Sequence, residues 1–371
     1  MTSLVRTVAV IGGGIGGMAA SVALAQAGLH VTLYESAPEF KEVGAGIQIS
    51  RNGQIVLNAL GISLSAQDYV VARGTRFYSG WSGRPFAQVR APTTGATWYM
   101  HRADLLSRLQ RAAEQAGVVF RLGASVEPGA AEADLVVAAD GMKSGWRDYV
   151  TCSVTRPAFK KAVAWRATIP GDFAAQRESS LTVGSGGHGV TYPLRGGQML
   201  NVVAIEDRDD WREEDWAGAG SLAEFQARFA RFAGPAAEAI RCAGWVHRWA
   251  LHLRPVAPVW SQGNTVLLGD AAHATLPFMA QGGCLALEDA LVLARALAAK
   301  PDLAAALQAY ETMRKPRVHR VVKVSAANGW RFHMPRPFAW GAQAVLALGA
   351  PVLERQLRWI YDYDAARESI P

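Results

Sequence analysis

The sequence predicts an α/β protein, in which a Rossmann-like dinucleotide-binding domain is interrupted by an inserted antiparallel β-sheet domain and followed by C-terminal helices. Three observations carry the prediction. Near the N-terminus an apolar, β-rich run passes through a glycine turn into a helical stretch. The middle of the chain holds short strand-like segments separated by turns. The last part returns to long helical stretches. The composition agrees: 371 residues, 50% hydrophobic and 19% charged, support a core of roughly two domains and exclude a disordered chain.

Residues 7–11 (TVAVI) form the first strand, and 18–27 the helix after the glycines. Gly28 stops that helix, and 30–34 (HVTLY) starts the second strand. Such a βαβ unit demands a parallel sheet. A helix at 102–116, a strand at 118–121 and an apolar strand at 135–139 continue it. Beyond 160 the pattern changes. Residues 162–169, 189–193 and 199–205 read as antiparallel strands, with Arg195-Gly196-Gly197 as a turn. A strand at 265–268 then leads into Gly269-Asp270, and helices follow at 283–299 and 303–313. The first domain is therefore expected in pieces, 1–75, 98–155 and 255–325. Residues 76–97 and 156–254 form the second domain, and 326–371 a C-terminal helical segment.

Charge narrows the partners. The net charge of +7 suits anionic small molecules. A nucleic-acid binder needs a basic patch with interleaved aromatics, and the sequence has none. The densest basic stretch, Arg314, Lys315, Arg317, Arg320 and Lys323, has helical spacing and reads as a solvated helix face. Cys152, Cys242 and Cys284 are far apart, which argues against a disulfide framework or a metal site and fits the cytoplasm. The glycine-broken N-terminus reads as strand and turn rather than a signal peptide. The apolar run 338–353 is short for a membrane span and reads as a core or interface helix, so the chain is expected as a monomer or homodimer.

The glycines carry the first chemistry. Gly12, Gly14 and Gly17 fit G-x-G-x-x-G between a strand and a helix. Gly12 allows the tight turn, Gly14 lets backbone approach a pyrophosphate, and Gly17 lets helix pack on strand. Glu35 ends the second strand and can bind ribose hydroxyls. This fingerprint does not separate NAD from FAD. Two further motifs do. Residues 134–141 have the form D-x-x-x-x-A-D-G, followed by Ser144 and Arg147. Residues 269–277 have the form G-D-A-x-H-x-x-x-P.

With the glycine turn, in this order and over almost the whole chain, these motifs resemble the group A flavoprotein aromatic monooxygenases of the para-hydroxybenzoate hydroxylase fold. The look is nearest to the salicylate, 3-hydroxybenzoate and 6-hydroxynicotinate hydroxylase branch. The resemblance implies an FAD-binding domain of the glutathione-reductase type, with FAD as cofactor and NADH or NADPH as co-substrate. It implies hydroxylation of a small phenolic acid by O₂ through a flavin C4a-hydroperoxide. The Asp270 carboxylate would accept hydrogen bonds from ribityl or ribose hydroxyls. Backbone N–H groups at Gly282 and Gly283 would face the flavin pyrimidine edge. Arg102 matches a family arginine that contacts FAD, and Asp140 is expected near the cofactor phosphates. Arg314 and Arg317 match a family stretch and read as structural.

On the substrate side, His188 and Tyr192 share one strand face by their spacing. They resemble pocket residues of the same branch. With ordinary values of about 6.5 for His and about 10 for Tyr, His188 is the better base and Tyr192 an orienting partner. Gln281 matches a pocket glutamine, and Gln48 stands where the 6-hydroxynicotinate branch carries His. Phe278 and Met279 are expected to wall the pocket. Arg84, Arg166 and Arg195 are all open as partners of a substrate carboxylate. Residues 122–133 leave little room for the outer β-meander usual in the family. The competing readings are a flavoenzyme of another reaction class, such as an epoxidase, an oxidase or a decarboxylative hydroxylase, and a non-enzymatic flavin sensor.

Overall fold

The computed structural model describes residues 5–40, 46–91, 95–211 and 220–371. Gly44 and Ala45, which precede the Gln48 strand, lie outside them. Strand β1 (Thr7–Ile11), helix α1 (Ile15–Gln26) and strand β2 (His30–Glu35) form the first unit. β1 and β2 pair in parallel from Thr7↔His30 to Ile11↔Tyr34. β3 (Gly46–Ile49), α2 (Arg51–Ala59) and β4 (Tyr69–Val71) follow, then the hairpin β5 (Gly74–Ser79) and β6 (Pro85–Arg90). β7 (Trp98–His101) runs directly into α3 (Arg102–Gln115), and β8 (Val119–Leu122) and β9 (Leu135–Ala138) return to the first sheet. Residues 123–134 between them hold no strand. Helix α4 (Gly145–Thr151) is capped by Ser144, whose Oγ accepts from Arg147 N at 2.9 Å.

β10 (Ala158–Pro170), β11 (Glu178–Gly184), β12 (Gly187–Leu194) and β13 (Met199–Asp207) build the second sheet. Helices α5 (Leu222–Arg228) and α6 (Pro235–Cys242) lie on its outer face, and β14 (His247–Leu253) closes one edge. The chain then rejoins the first sheet through β15 (Ser261–Gln262) and β16 (Thr265–Leu267). It ends in α7 (Asp270–His273), α8 (Gly282–Ala299), α9 (Leu303–Phe332) and α10 (Phe338–Tyr361).

Three sheets result. The six-stranded sheet has the order β15-β16-β9-β1-β2-β8 and is parallel except for the β15–β16 hairpin. The seven-stranded sheet has the order β14-β10-β13-β12-β11-β5-β6 and is antiparallel except where β5 joins β11. β5 reaches that position from the first half of the chain rather than by a hairpin, so its direction is free to be parallel. A three-stranded antiparallel sheet has the order β3-β7-β4. α1 is buried along nearly all its length against α8 and α3, which its small residues permit.

One helix departs from the sequence expectation and another narrows it, from a core or interface helix to one outside the core. α9 does not stop at Met313 but continues through Pro316 to Phe332. A proline inside a helix costs roughly 3 kcal/mol, and the buried ion pairs of Arg314 and Arg317 with α8 oppose that cost. α10 is not a core helix: Phe338, Val345 and Leu348 on it are 70%, 72% and 88% exposed. No helix among the described residues is long and apolar enough to cross a membrane.

Candidate functional site

The glycine turn shapes the first part of the site. A Cβ on Gly12, which has φ 104°, would lie 2.5 Å from the Ala139 carbonyl oxygen. A Cβ on Gly17 would lie 1.9 Å from the Gly12 carbonyl oxygen, so α1 reaches β1 only with glycine there. Gly14 is the opposite case: nothing lies within 4 Å of its Cβ position. The start of α1 thus opens on a cleft of ≈ 400 Å³ bounded by Gly12, Gly14, Glu35, Asp140, Gly141 and the loop at 124–128. Glu35 Oε2 accepts from Gly13 N at 2.7 Å and its Oε1 from Ala37 N at 2.8 Å, which fixes the carboxylate at the cleft wall. Asp140 Oδ1 is buried with no hydrogen-bond partner, and burial pushes this carboxyl above its ordinary range.

The other cofactor-motif residues collect around α7 and α8. Asp270 opens α7, accessible to solvent yet ringed by protein. That crowding pushes its carboxyl up, against the pull of His273 and of Arg102 at the start of α3. Gly282 and Gly283 begin α8. A Cβ on Gly283 would meet Ile47 Cδ1 at 2.8 Å, so β3, which carries the half-buried Gln48, lies against the bare helix start.

The inner face of the seven-stranded sheet supplies a second set of groups. His188 on β12 is 2% exposed and ringed by Phe278, Phe332 and His333. Burial, and then the neighbouring His333, push its imidazole well below the ordinary range, so it is neutral at pH 7. Tyr192, on the same face of β12, is tilted against Tyr99 with ring centres 4.9 Å apart. Burial raises its hydroxyl pKa, with Arg166 pulling the other way. A Cβ on Gly46 would lie 2.6 Å from the Tyr192 hydroxyl, so β3 touches this face too. Arg166 on β10 shares the face, because Arg166 and Val190 both stand opposite Val203. Its guanidinium lies 4.6 Å from the Trp249 ring centre.

The expected pocket residues divide. Phe278 lies against His188, with ring centres 5.6 Å apart. Met279 packs into the main core, where Asn328 Nδ2 meets its sulfur. Gln281 commits its amide to Ser50 and Asn52, both at 2.9 Å. Among the arginines, Arg195 is held by Asp104 in a two-pronged pair at 2.8 and 2.7 Å, and Arg84 is exposed beside the β5–β6 turn.

Behind α8 lies a closed ionic network. Arg314 is 0% exposed, 2.6 Å from Glu288 and 2.7 Å from Asp289. Arg317 holds Glu288 at 2.8 and 2.7 Å, and His273 meets Asp289 at 2.6 Å. Asn52 donates to Glu288 at 2.6 Å and so joins Gln281 to the set. The reading of this basic stretch as a solvated face is therefore corrected for Arg314 and Arg317. Their carboxylate partners sit on another helix, and a local charge pattern does not contain them.

Sequence reasoning missed three residues of the inner face. Asn201, opposite Tyr192, accepts from Gly46 N at 2.8 Å and leaves Nδ2 buried without a partner. His333 Nε2 lies 2.7 Å from His188 Nδ1, and His333 Nδ1 lies 2.5 Å from Asp207 Oδ1. His333 is 145 positions from His188, beyond any local motif.

Comparison with known proteins agrees with this architecture. A family model described as FAD binding domain matches residues 90–325, and a model of an NAD(P)-binding Rossmann-like domain matches residues 10–48. The chain is 34% identical to the 3-amino-4-hydroxybenzoate 2-monooxygenase PtmB3 of Streptomyces platensis, over 97% of this chain and 96% of that one. It is 33% identical to the 3-hydroxybenzoate 6-hydroxylase of Polaromonas naphthalenivorans, over 88% of each. Among solved structures, a salicylate hydroxylase substrate complex superposes with a TM-score of 0.81 at 23% identity over the full length of both chains. HpxO of Klebsiella pneumoniae, in complex with FAD and uric acid, superposes with a TM-score of 0.82 at 25% identity, over 98% of this chain and 97% of that one. The chain belongs to the FAD-binding-domain family of FAD-dependent aromatic monooxygenases.

Proposed function

We propose that this monooxygenase hydroxylates a small phenolic or hydroxy-aromatic acid, with NADH or NADPH as electron donor and O₂ as oxygen source. One observation carries the reading: a single sheet face holds a neutral buried imidazole, His188, and a guanidinium, Arg166, with the Tyr192 phenol beside them. A phenol needs a base and a carboxylate needs a cation. Relatives that act on 3-amino-4-hydroxybenzoate and 3-hydroxybenzoate support the substrate class.

The FAD would lie along Gly12, Gly14 and Gly17, with Glu35 at the ribose and the α1 start at the pyrophosphate. The open space at Gly14, the cleft beside it and the orphaned Asp140 oxygen fit such a group. Asp270 and Arg102 would hold its middle, and the N–H groups of Gly282 and Gly283 its ring edge. When bound, FAD supplies hydride uptake and O₂ activation. The protein's own part is acid–base work and exclusion of water. His188 takes the phenol proton, which raises electron density on the ring; such positioned bases contribute roughly 10² to 10⁴ in rate. Tyr192 orients the substrate oxygen. Arg166 holds the carboxylate, its plane fixed by Trp249. Phe278 walls the pocket and keeps it dry, and Gln48 borders it from β3. Gln281 and Met279 support that wall from behind through Ser50, Asn52 and Asn328.

The chain divides, on this reading, into an FAD-binding part at 1–75, 98–155 and 255–325, a substrate part at 76–97 and 156–254, and the helical segment 326–371. Exposed, unpaired Cys152 and Cys242 suit a reducing cytoplasm. The test is a panel of hydroxybenzoates and hydroxypyridine carboxylates, scored together for NAD(P)H consumption and product mass. A product heavier by one oxygen from at least one acid is expected. Stimulated NAD(P)H oxidation with no oxygenated product from any acid would overturn the reading.

A further inference from the structure

A base sealed among aromatic rings has a problem of its own. Once His188 takes a proton it becomes an imidazolium with almost no access to water, a state that burial opposes. Phe278 and Phe332 flank its ring. Among the described residues its one hydrogen-bond partner is His333, at 2.7 Å from Nδ1. The contact does not end there. His333 caps the C-terminus of α9 and is itself 2.5 Å from Asp207 Oδ1, at the end of β13. Exposure rises along this row: the His333 side chain is 6% exposed and that of Asp207 53%. The paired strands β12 and β13 and the end of α9, distant from both in sequence, thus meet in one line from a sealed ring to bulk water. The backbone holds the line in register, since Gly186 N donates to the His333 carbonyl at 3.2 Å and Asp207 N to the Gly186 carbonyl at 2.8 Å.

We propose that His333 and Asp207 form a proton exit for His188, leading from the buried substrate site to the surface. The proposal rests on His188 being the base that meets the substrate hydroxyl. In the starting state His333 donates Nδ1–H to Asp207, and His188 donates Nδ1–H to His333 Nε2. The substrate O–H bond breaks and its proton joins His188 Nε2. The Nδ1 proton of His188 passes to His333 Nε2, and the Nδ1 proton of His333 passes to the Asp207 carboxylate and on to water. One proton enters and one leaves, and nothing is oxidised or reduced. A proton taken back along the same row, when the ring oxygen is reprotonated, resets both hydrogen bonds. Among the described residues, the charged neighbours of the row are turned to other partners. On β13, Glu206 points to the other face and meets Trp165, and Arg208, just past the strand, meets Asp210 and Glu224. On β10, Lys161 is paired with Asp209, and on α9, Arg331 meets Asn328. His333 and Asp207 are positioning residues here, because they touch His188 and not the substrate.

The experiment reads the proton directly, without turnover. Oxidised, FAD-loaded protein is mixed in weak buffer with 3-amino-4-hydroxybenzoate, 3-hydroxybenzoate or salicylate. An indicator dye follows proton release, and absorbance follows the bound phenolate. Wild-type protein is expected to release a proton on binding at least one of these acids. His333→Gln and Asp207→Asn are expected to slow release roughly tenfold or more, a part of the 10² to 10⁴ that acid–base groups contribute, with little change in substrate affinity. Asp207→Glu restores the rate, and added imidazole speeds release in His333→Gln. A structural role alone would not give that rescue. Should His333→Gln fail to fold, Asp207→Asn decides, since its side chain is half in water. Wild-type release rates in both variants would overturn the exit, as would no release from wild-type protein with any of the acids. His188→Ala separates this failure from that of the function itself. If it slows hydroxylation while the other two do not, only the exit falls; if all three hydroxylate as wild type, the assignment of His188 falls as well.

Discussion

Behind α8 and across the inner face of the seven-stranded sheet, this molecule buries two sets of titratable groups, and it builds them differently. Behind α8, Arg314, Arg317, Glu288, Asp289 and His273 close on one another, two guanidinium groups and an imidazole against two carboxylates. On the sheet face, His188 is neutral, and its row of partners ends at a half-exposed carboxylate. The first arrangement has nowhere to send a proton and every reason to hold its charges still. The second has a way out. A closed network suits the fixing of α8 and α9 around the cofactor motifs, and an open one suits chemistry.

Four changes test that contrast. Arg314→Leu should have the largest effect, because it takes one fully buried cation away from two buried carboxylates. Breaking a buried pair in this way costs about 3 to 5 kcal/mol, read as a lower urea midpoint of the FAD-loaded protein. Any hydroxylation by the fraction still folded should keep its coupling to NAD(P)H. His188→Ala should do the reverse. It is expected to slow hydroxylation roughly 10²-fold and to raise the share of NAD(P)H that ends as peroxide, with the urea midpoint moved far less. The wild-type rate should also persist below the ordinary imidazole range, because a lowered pKa keeps His188 a free base at more acid pH.

The closed network has its own pH signature. Burial works to raise the Asp289 carboxyl, but His273 and Arg314 overcome it and hold it at about 2, below the ordinary 3.8. A folded value below the unfolded one means stability that is present above the ordinary carboxyl range and is lost as pH falls toward about 2. That contribution is about 2 kcal/mol, and acid titration of Asp289→Asn should show a flatter fall between about pH 4 and 2. The smallest effect is expected from Arg166→Met, which removes one charge-assisted contact. It should raise KM for aromatic carboxylates roughly tenfold and leave kcat and the urea midpoint close to wild type. A KM change of the same size for substrates without a carboxylate would break the assignment of Arg166.

How much of this was legible depended on distance along the chain. Gly12, Gly14, Gly17 and Glu35 lie within one βαβ unit, so their geometry follows from local strand, turn and helix preferences. The segments around Asp140 and Asp270 are equally local. His188 and Tyr192 could be put on one strand face from spacing alone. Charge pattern alone put Arg314 on a solvated face for the same reason in reverse, since its own stretch shows five cations and none of the carboxylates that bury it, whereas the match to a family stretch read it as structural. The expected helix at 303–313 fell short of the observed one, because the packing of α9 on α8 lies outside the local pattern.

Local sequence therefore determined the nucleotide-binding turn, the order of the motifs and the alternation of sheet faces, since each is set by backbone preferences over a few residues. Tertiary structure alone decided which arginine shares a face with His188, which carboxylates neutralise Arg314, and that His333 and Asp207 stand in line with His188. The reason is physical. A hydrogen bond or ion pair depends on atoms brought within about 3 Å, and here those atoms belong to segments that only the closing of the sheets brings together.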